Sequence, residues 1–239
     1  PTTDAAPDAG GVAYLNTFNS SSEIPCWAFY STGKAGGEVI THEIGHTLGL
    51  NHDGRTNPTE EYYLGHGSTE VAWAPIMGLG YYRTLSQWSK GEYLSANNQE
   101  DDISIIANSN NNIGMRPDLH GNTASTAQPL VIQSNNSVRE GGYITTETDI
   151  DVFSFSTSGG SLSLNVNGEN YGPNIDILAQ LYDSNNSLVA TSNPDTLIDA
   201  SLSATLSNDT YTLHVSGVGR GDPLAYGYPA YGSLGSYLI

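Results

Sequence analysis

The sequence predicts a molecule of two parts: an α+β region over residues 1–107 and an all-β sandwich over 120–239, joined by a linker at 108–119. Three observations predict it. Apolar and polar residues alternate at period two in six separate stretches after about residue 150. A helical periodicity stands near the start of the chain. Between them lies "NSNNNIGMRPD" (Asn108 to Asp118), polar and closed by a proline, which reads as a boundary. At 239 residues the chain suffices for one large domain or two ordinary ones. Its abundant Gly, Asn and Ser favour turn-rich strands over helical bundles.

Taken in order, "GVAYLNTF" (Gly11 to Phe18) and "CWAFYST" (Cys26 to Thr32) read as short strands, being rich in aromatic and β-branched residues. From about Gly36 to Leu48 the pattern is helical, with Val39, Ile40, Ile44, Thr47 and Leu48 suited to a buried face. "WAPIMGLGYY" reads as a turn. In "NNQEDDISIIA", Asn98 is placed to cap a helix whose first turn carries Glu100, Asp101 and Asp102, acids that complement the helix dipole. Beyond the linker, "DVFSFST", "SLSLNVN", "IDILAQLYD", "SLVATS", "ASLSATL" and "TYTLHVSG" are separated by turn clusters such as "SGG" and "DSNNS". Six such strands at short spacing indicate a sandwich.

The net charge is −18, with 13 acids against 5 bases before Pro117 and 12 against 2 from there on. Both halves are acidic, which repels nucleic acid and anionic membranes and suits a soluble protein in salty surroundings or one that binds calcium. The single cysteine, Cys26, excludes an internal disulfide; on a strand it reads as a buried thiol rather than a ligand. No apolar run reaches the ~18–20 residues of a membrane span. The chain opens on Pro1 without a secretion signal, so upstream sequence is expected to have been removed or not included.

The densest chemistry lies in "THEIGHTLGLNHDG" (Thr41 to Gly54). On a helix His42 and His46 stand one turn apart on the same face and can each give a nitrogen to one Zn²⁺. A helix continued to His52 would aim that residue away. Gly49 can take a left-handed conformation, end the helix and return His52 as the third ligand. An open position for water then remains, as in catalytic zinc sites. Glu43 reaches such a water as general base and passes its proton to the leaving amine. A chance His-Glu-x-x-His arises in ~1% of chains of this size, whereas Gly49, His52 and Asp53 in place lower chance to ~10⁻⁶, so coincidence is set aside.

"HEIGHTLGLNHD" resembles the metzincin pattern H-E-x-x-H-x-x-G-x-x-H, and Asp53 directly after the third histidine resembles the reprolysin (adamalysin-like) branch. The resemblance implies His42, His46 and His52 as ligands, Glu43 as base and Asp53 as a buried structural carboxylate. It implies that Met77, in "APIMG", is the methionine turn beneath the ligands. "GGVAYL" resembles the strand lining the cleft, where a peptide substrate would pair near Val12 to Leu15 by strand addition. The pattern departs in two places. Leu79 stands where some metzincins carry a tyrosine; Tyr81 and Tyr82 are the candidates for oxyanion stabilisation, against a pocket-wall or surface role. His66 reads as a loop histidine. The front is also short, so the catalytic part is expected to be truncated at its N-terminus, exposing apolar surface of the helix.

From about His120 the sequence resembles the bacterial pre-peptidase C-terminal domain, in "HGNTASTAQPL", "TDIDVFSFST", "NIDILAQLYDSNNSLVATSNP" and "YTLHVSGVG...YGSLGSYLI". Asp118, Asp149 and Asp151 can supply hard oxygens to Ca²⁺, or cap turns and strand ends. The expected function is that of a secreted, extracellular bacterial zinc metalloendopeptidase, probed by protein or peptide substrates and acting as a monomer. The alternative is an inactive remnant whose sandwich binds matrix, carbohydrate or protein. A purely structural zinc is disfavoured, since such sites fill the fourth position with protein ligands, commonly cysteine.

Overall fold

The computed structural model describes residues 6, 9–30 and 33–239. The chain divides into two units: Pro1–Ser68, Ala72–Met115 and Arg220–Tyr228 form the first, and Thr69–Val71, Arg116–Gly219 and Pro229–Ile239 the second.

In the first unit, β1 (Gly11–Val12) pairs antiparallel with β2 (Trp27–Ala28), two residues each where longer strands were expected. Ser31 and Thr32, the end of the expected second strand, lie outside the described residues. The chain beyond β1 instead serves the following helix, α1 (Gly33–Leu48). Amides of Asn16 and Phe18 donate to the His46 and Thr47 carbonyls, and Asn111 Nδ2 to that of Leu48 (3.0–3.1 Å). The last carbonyls of a helix have no partner within it, so these bonds fix its C-terminal end in place.

The buried face of α1 carries Gly36, Glu38, Val39, His42, Glu43, Gly45, Thr47 and Leu48. Ile40 and Ile44, expected inside, are 48% and 37% exposed. The face is chosen by what packs on it, including polar groups destined for the site, and apolarity alone misassigns the stripe one position over. β3 (Arg55–Thr56) and β4 (Thr59–Glu60) form a short hairpin clamped by Arg55 and Glu60 at 2.9 Å. β5 (Trp73–Pro75) and β6 (Leu85–Gln87) pair in parallel around the expected turn. The second helix, α2, spans only Asp102–Ile106, with Asp101 rather than Asn98 at its cap, accepting from Ser104 N at 2.9 Å. Asn98 binds Glu100 instead, taking its amide at 2.9 Å, so the expected first turn is a loop.

The second unit is mostly strand. β7 (Gln128–Pro129), β8 (Gly141–Ile144), β9 (Ile150–Thr157), β10 (Gly160–Val166), β11 (Ile177–Tyr182), β12 (Leu188–Ser192), β13 (Ala200–Leu206), β14 (Asp209–Gly217) and β15 (Gly235–Leu238) follow in order. Five form one sheet, β12-β11-β14-β9-β7, antiparallel except for β7 beside β9. β10 with β13 and β15 with β8 form two further antiparallel pairs. All six alternating stretches read from the sequence are strands here. Their inward residues, among them Phe153, Leu164, Ile177, Leu181, Leu202 and Leu213, make one core, the arrangement of a β-sandwich. Among the described residues no helix is long and apolar enough to cross a membrane.

Candidate metal centre

The geometry of the site begins with how α1 ends. Gly49 has φ +109°, a conformation that costs any residue with a Cβ. Its amide donates to the His46 carbonyl and that of Leu50 to the Gly45 carbonyl, both at 3.0 Å, which is the paired bonding of a Schellman turn. Leu50, fully buried, packs with Ile76 and Met77 and anchors the reversal. The chain is thereby returned so that His52 faces the helical pair.

Ligand nitrogens of His42, His46 and His52 lie within 4.8 Å of one another. Each ring is oriented through its other nitrogen. His42 Nδ1 donates to the Ile76 carbonyl at 2.9 Å, His46 Nδ1 to the Leu50 carbonyl at 2.8 Å, and His52 Nδ1 to Glu61 Oε1 at 3.0 Å. With all three Nδ1–H groups engaged, the Nε2 lone pairs are left to converge, and those of His46 and His52 stand 3.0 Å apart. Three nitrogens at ~2.0–2.1 Å from one zinc ion in tetrahedral array would be ~3.3 Å apart. The cluster therefore fits a tetrahedral divalent cation, and an acceptor-lined contact between two imidazoles has no other bonding partner to satisfy it. Burial, then the charges of His46 and His52, hold His42 down to about 4 despite its bond to Ile76. Burial and His46 likewise lower His52, opposed by Glu61. Both shifts favour the neutral imidazole that metal binding requires.

Glu43 is buried at 6% exposure, and desolvation raises its carboxyl to about 7. β1 crosses so closely that a Cβ on Gly11 would lie 2.5 Å from Glu43 Oε1 and 2.6 Å from the Trp27 carbonyl oxygen. Only glycine fits between the strand and the carboxylate. Met77 is fully buried, its sulfur against Gly45, where an added Cβ would stand 2.5 Å from it. The Met77 carbonyl accepts the Asp53 amide at 2.9 Å, so the turn that carries Met77 is stitched to the segment bearing the third histidine. Asp53 itself is 1% exposed; burial, then the charge of Glu100, pushes its carboxyl up.

The Tyr81 ring packs on Tyr30 at 5.8 Å, and burial, Tyr30 and then Glu43 push its hydroxyl up to about 12, so it lies within electrostatic reach of the carboxylate. Tyr82 is 82% exposed. His66 is committed to structure: Nδ1 accepts from the Tyr63 hydroxyl at 2.7 Å, and Nε2 donates to the Gly227 carbonyl. Cys26 is half-buried and unpaired by any disulfide. In the second unit, carboxylate oxygens of Asp118, Asp149 and Asp151 also lie within 4.8 Å of one another.

Two residues at the site escaped sequence reasoning. Glu61 orients His52, and the Tyr62 ring lies 4.3 Å from that of His52 and 6.1 Å from that of His42. Both sit in a loop without periodicity. The available signal was position alone, between the third histidine and the methionine.

Residues 2–53 match the family model described as Metallo-peptidase family M12B Reprolysin-like, a span that contains α1, the Gly49 turn, the three histidines and Asp53. This part of the chain resembles reprolysin-like metallopeptidases. Among solved structures, the pre-peptidase C-terminal domain of collagenase from Bacillus anthracis is similar at 16% identity with a TM-score of 0.34, over 52% of this chain and 94% of that one. No curated protein matches the chain.

Proposed function

We propose that the chain is a secreted zinc-dependent metalloendopeptidase, with His42, His46 and His52 holding the metal and Glu43 acting as general base. The observation that carries this reading is the convergence of three Nε2 lone pairs beside a buried carboxylate. Zinc bound there supplies Lewis acidity toward a carbonyl oxygen and acidifies water. The chain's own residues do the rest. Glu43, raised toward neutrality by burial, takes a proton from the water that attacks the scissile carbonyl and gives it to the departing amine nitrogen as the C–N bond breaks. Among the described residues β1 has a strand neighbour on one side only, β2, and its other edge offers an extended peptide a strand to lie against. Glu61 holds His52 in the tautomer that donates Nε2, while Ile76 and Leu50 carbonyls do so for the other two.

The test is cleavage of a quenched peptide library with added zinc, comparing the chain with Glu43→Ala. Loss of a general base lowers turnover ~10²- to 10⁴-fold. Zinc-dependent cleavage lost in the variant supports the endopeptidase. Equal rates in both, or none from either folded protein, would move the function to the sandwich as a binding module.

A second reading concerns Asp118, Asp149 and Asp151, taken as a seat for Ca²⁺. Asp151 is fully buried; its Oδ2 accepts from the Tyr237 hydroxyl, and its Oδ1 has no hydrogen-bond partner. Burial raises its carboxyl to about 6, which a hard cation would reverse. Calcium, titrated against magnesium, is expected to raise the melting temperature of the second unit, and Asp149→Asn to remove that response.

A further inference from the structure

In the first unit, Glu38 stands one turn before His42 on the buried face of α1 and is 7% exposed, yet the reaction described above has no use for it. Its two oxygens are employed unequally. Lys34 Nζ and the Ser86 hydroxyl both donate to Oε1. Among the described residues no hydrogen bond reaches Oε2. That oxygen faces Gly80, where an added Cβ would lie 2.8 Å from it and 3.2 Å from Ser86 Cβ. The place a side chain would fill is thus at hydrogen-bonding distance from a carboxylate oxygen with lone pairs to spare.

The same pattern recurs toward Glu43. A Cβ added at Gly10 would stand 2.8 Å from the Tyr81 hydroxyl, and Gly11 lies against Glu43 in the same way. Three oxygens, those of Glu38, Tyr81 and Glu43, therefore each meet backbone that carries no side chain. The Tyr81 hydroxyl feels both acids: burial, Tyr30, then Glu43 and Glu38 push it up, and no lysine or arginine opposes them. Glu38 belongs to the same acidic surroundings as the candidate base. The whole chain, at a net charge of −18, draws cationic polypeptides toward it.

We propose that the site selects polypeptides with lysine or arginine beside the scissile bond, the basic head group seated in the gap at Gly80 against Glu38 Oε2. Glu38 is then a specificity-determining residue of the peptidase reading, on which its role rests. Lys34 and Ser86 are positioning residues: they hold one oxygen and leave the other for the substrate. Selection works by rejection as much as by attraction. An apolar side chain in the gap leaves a carboxylate oxygen desolvated and unpaired, whereas an ammonium or guanidinium group satisfies it.

Two measurements test this. The first compares zinc-dependent kcat/KM for quenched peptides that differ only in lysine, arginine or leucine at the positions flanking the scissile bond. A basic residue at one of them should be favoured at least about tenfold, the worth of one charged hydrogen bond. Gly80→Ala fills the gap while leaving the Lys34 pair intact, and Glu38→Gln removes the charge. Each should bring the ratio to within about twofold while the first unit still melts cooperatively. The second measurement needs no turnover. The same peptides, fluorescently labelled, are titrated into zinc-loaded Glu43→Ala protein, beside isomers whose lysine is moved to the far terminus so that net charge is unchanged. The flanking lysine should bind about tenfold more tightly than its isomer, and adding Gly80→Ala should erase the difference. Cleavage without a basic preference overturns the proposal and leaves the peptidase standing. Equal binding of the two isomers also overturns it, reducing the preference to long-range attraction. No cleavage of any peptide strikes the peptidase reading instead, and the binding titration then decides whether Glu38 selects a basic guest.

Discussion

The two units achieve order by different means. The second has strands of up to nine residues whose alternate side chains fill one core, so each residue is fixed by many equivalent neighbours. The first has strands of two or three residues, and its shape depends on single polar contacts that each hold one segment: Asn111 on the end of α1, Glu61 on His52, Ile76 on His42. A core of the first kind tolerates loss of any one polar group. A scaffold of the second kind concentrates its information at a few atoms, and those atoms surround the histidine cluster.

This contrast can be broken most forcefully from the sandwich side. Phe153→Ala empties a fully buried position and is expected to cost ~3–5 kcal/mol, lowering the melting transition of the second unit while zinc affinity is unchanged. In the first unit, Gly49→Ala forces a Cβ into a left-handed conformation and to 2.5 Å from Asn16 Oδ1. It should cost ~1–2 kcal/mol by thermal melting and weaken zinc binding with it, because the same turn aims His52. Glu61→Gln keeps the size but loses the charge on His52 Nδ1; competition with a chelator should show zinc held about tenfold less tightly, ~1.4 kcal/mol, with little change in apo stability.

The last contrast lies in pH dependence and belongs to Asp102→Asn. Asp102 is fully buried, and burial, then the charge of Asp53, pushes its carboxyl far up. A group whose pKa is raised by folding contributes stability that is present below its unfolded value and lost as pH rises through the folded one. The melting temperature of the first unit should fall as pH is raised from the ordinary aspartate range into the alkaline range. In the asparagine variant that decline should flatten, and equal slopes in the two proteins would refute the assignment.

The same contrast explains what could be read in advance. Period two is written locally, so "TYTLHVSG" and "ASLSATL" declare β14 and β13 without reference to anything distant. The convergence of His42, His46 and His52 was legible because helical spacing and one glycine determine their meeting. Ile40 and Ile44 were misplaced because their exposure depends on which neighbours α1 has, and neighbours are not encoded in periodicity. α2 begins at Asp102 because Asn98 finds a better bond to Glu100, a competition between two plausible caps that composition does not rank. Tyr62 was missed for a related reason: its place over the His52 ring is set by the fold of a whole loop.

The bond from His42 Nδ1 to the Ile76 carbonyl joins residues 34 apart in sequence, and that from Asp53 to Met77 closes a similar loop. Such contacts form only after the intervening chain has been gathered in, at an entropic cost that local helix formation does not bear. α1 can therefore appear early in folding while the three imidazoles remain unaligned. Under the proposed zinc reading, metal capture would be a late event in folding, timed by closure of the loop that carries Met77, and its rate a clock for that closure.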